Sequence, residues 1–136
     1  MSPKLNFVHL CDTAFFSQEG KLNVIGIFKV IGTRQLPVVH PKLSVVLNLT
    51  LSKPAKLKLQ ILKRETGETI AKLEAKLEQK NENEHEKEIN FISDFNSIKF
   101  EENGEYRVEI WIDDELIEVI PFFVQLAQPQ KKGFLS

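Results

Sequence analysis

The sequence predicts an all-β protein, an antiparallel immunoglobulin-like β-sandwich of about eight or nine strands. Apolar residues recur with a period of two along most of the chain, and turn-forming residues separate these segments at short intervals. In addition, Asn103-Gly104-Glu105-Tyr106 precedes an alternating segment. This is the pattern of a tyrosine corner, in which the tyrosine hydroxyl hydrogen-bonds to upstream backbone.

The length of 136 residues and the apolar fraction of 42% are typical of one globular domain with one core. We expect this domain to span residues 1–126 and a loose tail to follow over 127–136. The net charge of −1 argues against a strongly basic nucleic-acid-binding protein. Because no segment resembles a signal peptide or a membrane-spanning helix, we expect a cytoplasmic protein without a membrane partner.

The charges are unevenly distributed. Residues 1–68 carry a net charge of +6, and residues 69–136 carry −7. The simpler interpretation is that the two halves face each other within one fold, or that each is merely solvated. The alternative is head-to-tail self-association or an oppositely charged partner.

The first half of the chain contains several strand patterns. Residues 5–11 place apolar side chains on both faces, which is typical of a strand covered on both sides. Gly20 suits a turn with positive φ, and Gly26, inside the next strand, indicates a bulge or a close backbone approach. Residues 33–41 contain two prolines and predict a crossing loop or an irregular edge, whereas residues 43–51 alternate as a regular strand.

The segment from Lys56 to Gln79 fits two structures. As a hairpin, it would turn at residues 65–68 and pair its two alternating halves. As a helix, residues 69–79 would align Ile70, Leu73 and Leu77 along one stripe. We favour the hairpin because the turn is short and a strand precedes it.

The remaining segment, from residue 89 to 126, predicts strand, corner, strand, a tight turn at 113–115 and a last strand. In the middle strand Trp111 faces away from the alternating core residues, on the same face as Arg107 and Glu109. An exposed tryptophan flanked by charges is a candidate interface anchor. Burial of Trp111 under a loop or a second layer is the alternative.

Cys11 is the first candidate for chemistry. On a strand it shares a face with His9, and His40 could approach from a loop, so these three residues are the candidate reactive group. Asp12 points the other way and cannot orient His9 in a regular strand. The favoured interpretation is a buried structural cysteine at the end of the first strand.

No metal, cofactor or nucleic-acid site is predicted. His9, His40, His85 and Cys11 lack the spacing of metal ligands, and no glycine-rich phosphate loop is present. The basic stretch from Lys53 to Arg64 has no interleaved aromatic residues on which bases could stack.

A set of short motifs in residues 7–50 resembles a family of small uncharacterised bacterial proteins. The motifs are Cys11-Asp12, Gly20-Lys21-Leu22, Ile25-Gly26-Ile27-Phe28, Pro37 and His40-Pro41. The chain departs from the family pattern at Glu19, where the family has Asp, and at Lys29, where an acidic residue is expected. The resemblance implies a compact β-sandwich of unknown function, so no site residue carries over.

These observations favour a non-enzymatic cytoplasmic binding or scaffold module, since no convergent set of catalytic groups is evident. The expected partner is a protein, either another chain or a second copy joined through a sheet edge or face into a homo-oligomer. One alternative is a carrier of a small apolar ligand in the phenylalanine-rich core. The other is an enzyme or redox protein that uses Cys11.

Overall fold

The computed structural model describes residues 3–78 and 86–127, and within these ranges all regular structure is β-strand. The nine strands are β1 Lys4–Phe16, β2 Leu22–Ile27, β3 Val30–Thr33, β4 Val38–Leu51, β5 Ala55–Lys63, β6 Thr69–Leu77, β7 Lys87–Phe100, β8 Gly104–Ile112 and β9 Glu115–Leu126. They form a four-stranded sheet in the order β2-β1-β4-β7 and a five-stranded sheet in the order β3-β9-β8-β5-β6. The predicted all-β sandwich is confirmed. The tail expected after residue 126 lies, apart from residue 127, outside the described residues.

The strand order is that of the immunoglobulin fold. If β1, β4, β5, β7, β8 and β9 are taken as strands A, B, C, E, F and G, one sheet contains A-B-E and the other contains G-F-C. All pairs are antiparallel except β3 and β9, which run parallel from Val30–Phe123 to Thr33–Leu126. Strand β2 extends the first sheet beyond β1.

Strand β4 is the centre of the core. From residue 43 onward its inward side chains are fully buried, and they are Leu43, Val45, Leu47, Leu49 and Leu51. Ser44, Val46 and Asn48, on the opposite face, are also buried. Both faces of strand β4 are therefore buried from residue 43 to 49, and its two edges pair with β1 and β7.

The outward side chain of Asn48 belongs to a polar ladder across three strands. Its Oδ1 accepts a hydrogen bond from Asn6 Nδ2 at 2.8 Å, and its Nδ2 donates to Asn90 Oδ1 at 2.7 Å and Glu88 Oε1 at 3.0 Å. Because Asn48 is 3% exposed, these bonds replace the water that it loses on folding.

The tyrosine corner predicted from the sequence is present. The Tyr106 hydroxyl donates to the Glu102 carbonyl oxygen at 2.6 Å, and burial raises the pKa of the Tyr106 phenol above its ordinary value. The ring packs edge-on against Phe100 and stacks with Phe122, with centroid distances of 4.9 and 5.7 Å. The corner thus ties the start of β8 to the end of β7.

The contested segment is a hairpin, as favoured, and not a helix. Strands β5 and β6 pair antiparallel from Ala55–Leu77 to Leu62–Thr69. Leu57, Leu59 and Ile61 are fully buried by this arrangement. The local helix preference of residues 69–79 is overridden because β5, paired with β8 on its other side, offers β6 an edge.

The proline-containing segment fits the prediction only in part. Residues 34–37 cross from β3 in one sheet to β4 in the other, which is the predicted crossing. Strand β4 then begins at Val38, so Pro41 lies within a strand rather than in the loop. Pro41 is tolerated because β1 pairs only with residues 44–50 of β4, and Ser97 opposite it adopts φ 53°.

The charge asymmetry along the chain is partly matched inside the fold. Among the described residues, three ion pairs join the basic first half to the acidic second half: Lys63–Glu102 at 2.7 Å, Arg64–Glu105 at 3.6 Å and Lys42–Asp94 at 3.9 Å. These contacts agree with the interpretation that the two halves face each other.

We predict that Tyr106→Phe destabilises the fold by about 1 kcal/mol, because the Glu102 carbonyl loses its donor while the ring packing remains. Urea unfolding followed by tryptophan fluorescence measures this change. Tyr106→Leu is the comparison, and it should cost more because it also removes the ring contacts. Equal stability of wild type and Tyr106→Phe would contradict a stabilising corner.

Candidate functional site

Cys11 lies at a buried point on the outer face of the four-stranded sheet. Its side chain is fully buried with Ala14 and Val46. The thiol sulfur is 3.5 Å from the carbonyl oxygen of Thr13 and 3.6 Å from that of Ser44. Burial raises the pKa of the Cys11 thiol above its ordinary value, so the protonated form, which is the weaker nucleophile, is favoured.

The structure does not bring the three reactive candidates together. His9 and Cys11 share a face, as predicted, since they lie opposite Val46 and Ser44 of β4. The His9 ring, however, packs on Phe7 with a centroid distance of 5.2 Å.

His40 belongs to a different environment. Its ring lies between Phe28 and Phe100, each at a centroid distance of 6.4 Å, beside the core. Ser44, the β4 residue opposite Cys11, is about 13 Å further along the strand. The geometry therefore gives Cys11 no imidazole base from His40.

Asp12 approaches the backbone of Gly26 closely. A Cβ atom at Gly26 would overlap the Asp12 carboxylate, and Gly26 has φ 73°, which favours glycine. This is the close backbone approach that the glycine indicated. The contact lies between the paired residues Cys11–Ile27 and Thr13–Ile25 of β1 and β2.

Metal ligands do not cluster within residues 3–78 and 86–127: no three His, Cys, Asp or Glu side chains are placed to hold an ion. His85 lies outside the described residues. In the same part of the chain no helix has the length and apolar character to cross a membrane.

The three interface candidates lie on the outer face of the five-stranded sheet. Trp111 is half-buried there; its Nε1 donates to Glu109 Oε1 at 3.1 Å, and Lys58 Nζ lies 4.6 Å from the ring centroid. Arg107 Nε donates to Glu105 Oε2 at 3.3 Å. Trp111 is thus neither fully exposed nor covered by a second layer, and it is held between polar neighbours.

An apolar strip that sequence reasoning missed runs beside these residues along β9. The cross-strand register places the outward side chains of β9 beside those of β8 and β3. We name as the β9 strip the residues Val30, Leu116, Val119, Pro121 and Phe123. All but the half-buried Val119 are exposed. The signal that could have revealed it is the apolar character of both faces of β9, where the core occupies only one.

Comparison with known proteins agrees with the resemblance noted from the motifs. Residues 6–125 match a family described as "Family of unknown function (DUF6941)". The chain belongs to this family. A family of unknown function supplies no catalytic or binding residue, so the sites above rest on the chain's own geometry.

Several solved chains are similar to this family member. One of them is described as the crystal structure of an immunoglobulin-like protein from Pseudomonas aeruginosa, with 16% sequence identity and a TM-score of 0.44, covering 92% of this chain and 98% of the other. Among curated proteins, none matches the chain significantly.

We predict that the Cys11 thiol of the native protein reacts far more slowly with iodoacetamide than the same thiol in urea, because it is buried and protonated. Cys11→Ser should lower the melting temperature by several degrees, since a hydroxyl replaces a sulfur in an apolar cluster. Cys11→Ala is the control and should cost less. Rapid native labelling with an unchanged melt would contradict the structural role.

A second prediction concerns the Asp12–Gly26 contact. Gly26→Ala should destabilise the protein by about 1 kcal/mol or more, through both the φ value and the overlap. In the background of Asp12→Ala the same substitution should cost less, because the overlap is then absent. Chemical unfolding of wild type, the two single variants and the double variant measures the coupling free energy. Strictly additive changes in the free energy of unfolding would contradict the close approach.

Proposed function

We propose that this family member is a non-enzymatic, cytoplasmic protein-binding module whose contact surface is the outer face of the five-stranded sheet. The observation that carries the proposal is the β9 strip, with Phe123 39% and Val30 45% exposed beside the half-buried Trp111. An apolar strip bordered by polar residues is typical of a protein interaction surface, and Trp and Arg are common anchors there.

The charges around the strip specify the chemistry of the partner. Beyond Trp111, the outer face of β5 and β6 carries Lys56, Lys58, Lys72 and Lys76, with Glu74 among them. Directly beside the strip, β8 carries Glu105, Arg107 and Glu109. Over β8, β5 and β6 together, five cationic side chains therefore face three carboxylates. We infer a protein partner that presents an apolar centre to the β9 strip and an acidic rim to these lysines.

The environment of Cys11 supports a role without covalent catalysis. Its thiol is buried, which raises its pKa, and it contacts the backbone carbonyls of Thr13 and Ser44. Cys11 is the single cysteine of the sequence, so the chain lacks the disulfide framework that is common in small secreted domains. The surface cleft beside Tyr106 is lined by charged residues such as Lys63 and Glu102, which does not favour an apolar-ligand carrier.

We predict that Phe123→Ser abolishes capture of a specific partner by the immobilised protein, because it removes an apolar anchor without opening the core. Val39→Ser is the matched control, since Val39 is 56% exposed on the other sheet. Quantitative mass spectrometry of proteins retained from a bacterial lysate measures the difference.

The proposal requires that one captured partner protein meet three conditions. It should be held by wild type and by Val39→Ser, be lost with Phe123→Ser, and be released as salt concentration rises, since its acidic rim faces lysines. Identical retention by all three proteins would overturn the proposed surface. Retention that is insensitive to salt would overturn the acidic character of the partner.

A further inference from the structure

The hairpin formed by β1 and β2 leaves its sheet before it ends. Strand β1 pairs with β4 only as far as the Cys11–Ser44 pair, whereas it stays paired with β2 as far as Phe16. Beyond Ser44, toward Val38, β4 is paired with β7 alone. We name as the flap residues 12–26, the part of the hairpin in which β1 and β2 pair, among the described strands, only with each other.

The flap lies over the outer face of the four-stranded sheet. On that face Cys11 and Val46 are fully buried in a small cluster that is separate from the core between the sheets. The flap residues that belong to this cluster are Ala14, Leu22 and Val24. Its remaining members, Phe7 and Ile92, belong to the sheet itself. The flap therefore supplies the cover that buries Cys11 and Val46.

The flap joins the sheet at Asp12 and Gly26. These residues lie opposite each other, between the Cys11–Ile27 pair and the Thr13–Ile25 pair. Gly26 has φ 73°, and a Cβ atom there would overlap the Asp12 carboxylate. A positive φ within a strand is a local irregularity at which a hairpin bends. The geometry therefore provides a hinge where the flap departs from β4.

The side chain of Lys42 connects the flap to the sheet. Lys42 lies on β4, and its Nζ donates to the Thr13 hydroxyl oxygen at 3.0 Å. The same ammonium group is 3.9 Å from the carboxylate of Asp94 on β7, which accepts a hydrogen bond from Ser44 Oγ at 2.6 Å. Because the Thr13 carbonyl oxygen is 3.5 Å from Cys11 Sγ, this connection holds the flap directly beside the thiol.

The flap buries little of its own apolar surface. Phe15, Phe16 and Ile25 are 46%, 48% and 51% exposed, whereas the small Ala14 is 7% exposed. A two-stranded hairpin is at best marginally stable by itself, and segments with few buried apolar contacts open at a lower free energy than the core. The opening of the flap therefore does not require the sandwich to unfold.

We propose that the flap is a hinged cover that opens as a unit at Asp12 and Gly26 while the sandwich stays folded, and that Lys42 is the clasp that holds it closed. In the open state the Cys11 thiol and the side chain of Val46 reach solvent. Access to the thiol is thus set by the clasp and not by global unfolding. This device is independent of the β9 strip, which lies on the other sheet.

The rate at which iodoacetamide labels Cys11 measures this opening. We expect the labelling rate of wild type, followed by mass spectrometry, to stay nearly constant at low urea concentrations, because opening of the flap exposes little surface. This rate should also be far higher than the rate that global unfolding allows. Hydrogen exchange should likewise be faster for the amides of the flap than for those of residues 43–51 in β4.

Two substitutions test the clasp, and each keeps most of the side-chain volume. Lys42→Met and Thr13→Val should each raise the native labelling rate by about fivefold, and the double variant should label no faster than either, because both remove the same hydrogen bond. Lys72→Met is the matched control, since the ion pair of Lys72 with Glu74 lies on the other sheet. Thermal unfolding of each variant verifies that it is folded.

Two outcomes would overturn the proposal: a wild-type labelling rate that rises with urea as steeply as global unfolding, or flap amides that exchange as slowly as those of β4. Equal labelling rates for Lys42→Met and wild type would overturn the role of Lys42, and so would an equal rise with Lys72→Met. None of these results bears on the β9 strip, because capture through Phe123 is measured with separate variants.

Discussion

The burial of β4 on both faces is the constraint on which the rest of the structure depends. Its odd-numbered residues from Leu43 to Leu51 form the core between the sheets, while Asn48 on the other face has to find hydrogen-bond partners away from water. Asn6 and Asn90 provide them from the two neighbouring strands. A shift of β1 or β7 by one residue would turn these amides away and leave Asn48 unsatisfied, so the ladder fixes the register of the four-stranded sheet.

Much of the fold follows from the sequence because alternation is a local signal. The period of two predicts the strands, and the Asn-Gly-Glu-Tyr pattern is enough to locate the corner at Tyr106. The start of β4 at Val38, before Pro41, could not be predicted from the sequence. It depends on where β1 stops pairing with β4, which is a property of the assembled sheet. The choice between helix and strand for residues 69–79 also required a long-range partner, and the preceding turn was the only local clue.

The candidate sites were harder to foresee for the same reason. The shared face of His9 and Cys11 is a local property and was predictable, but the orientation of His40 toward Phe28 and Phe100 is tertiary. The β9 strip was not predicted, because apolar residues on both faces of a strand usually indicate that each face is covered by another layer. Only the sheet order shows that no layer of the described chain lies over the outer face.

The parallel pairing of β3 with β9 has a consequence for folding during synthesis. Val30 and Phe123 are about 90 positions apart, so β3 leaves the ribosome long before its partner is made. Long-range pairings of this kind are slow because the entropy of a large loop has to be lost before the contact forms. We therefore expect the nascent chain to hold β3 unpaired until β9 emerges, which makes closure of the five-stranded sheet a late event and leaves the growing polypeptide in need of protection from other chains until then.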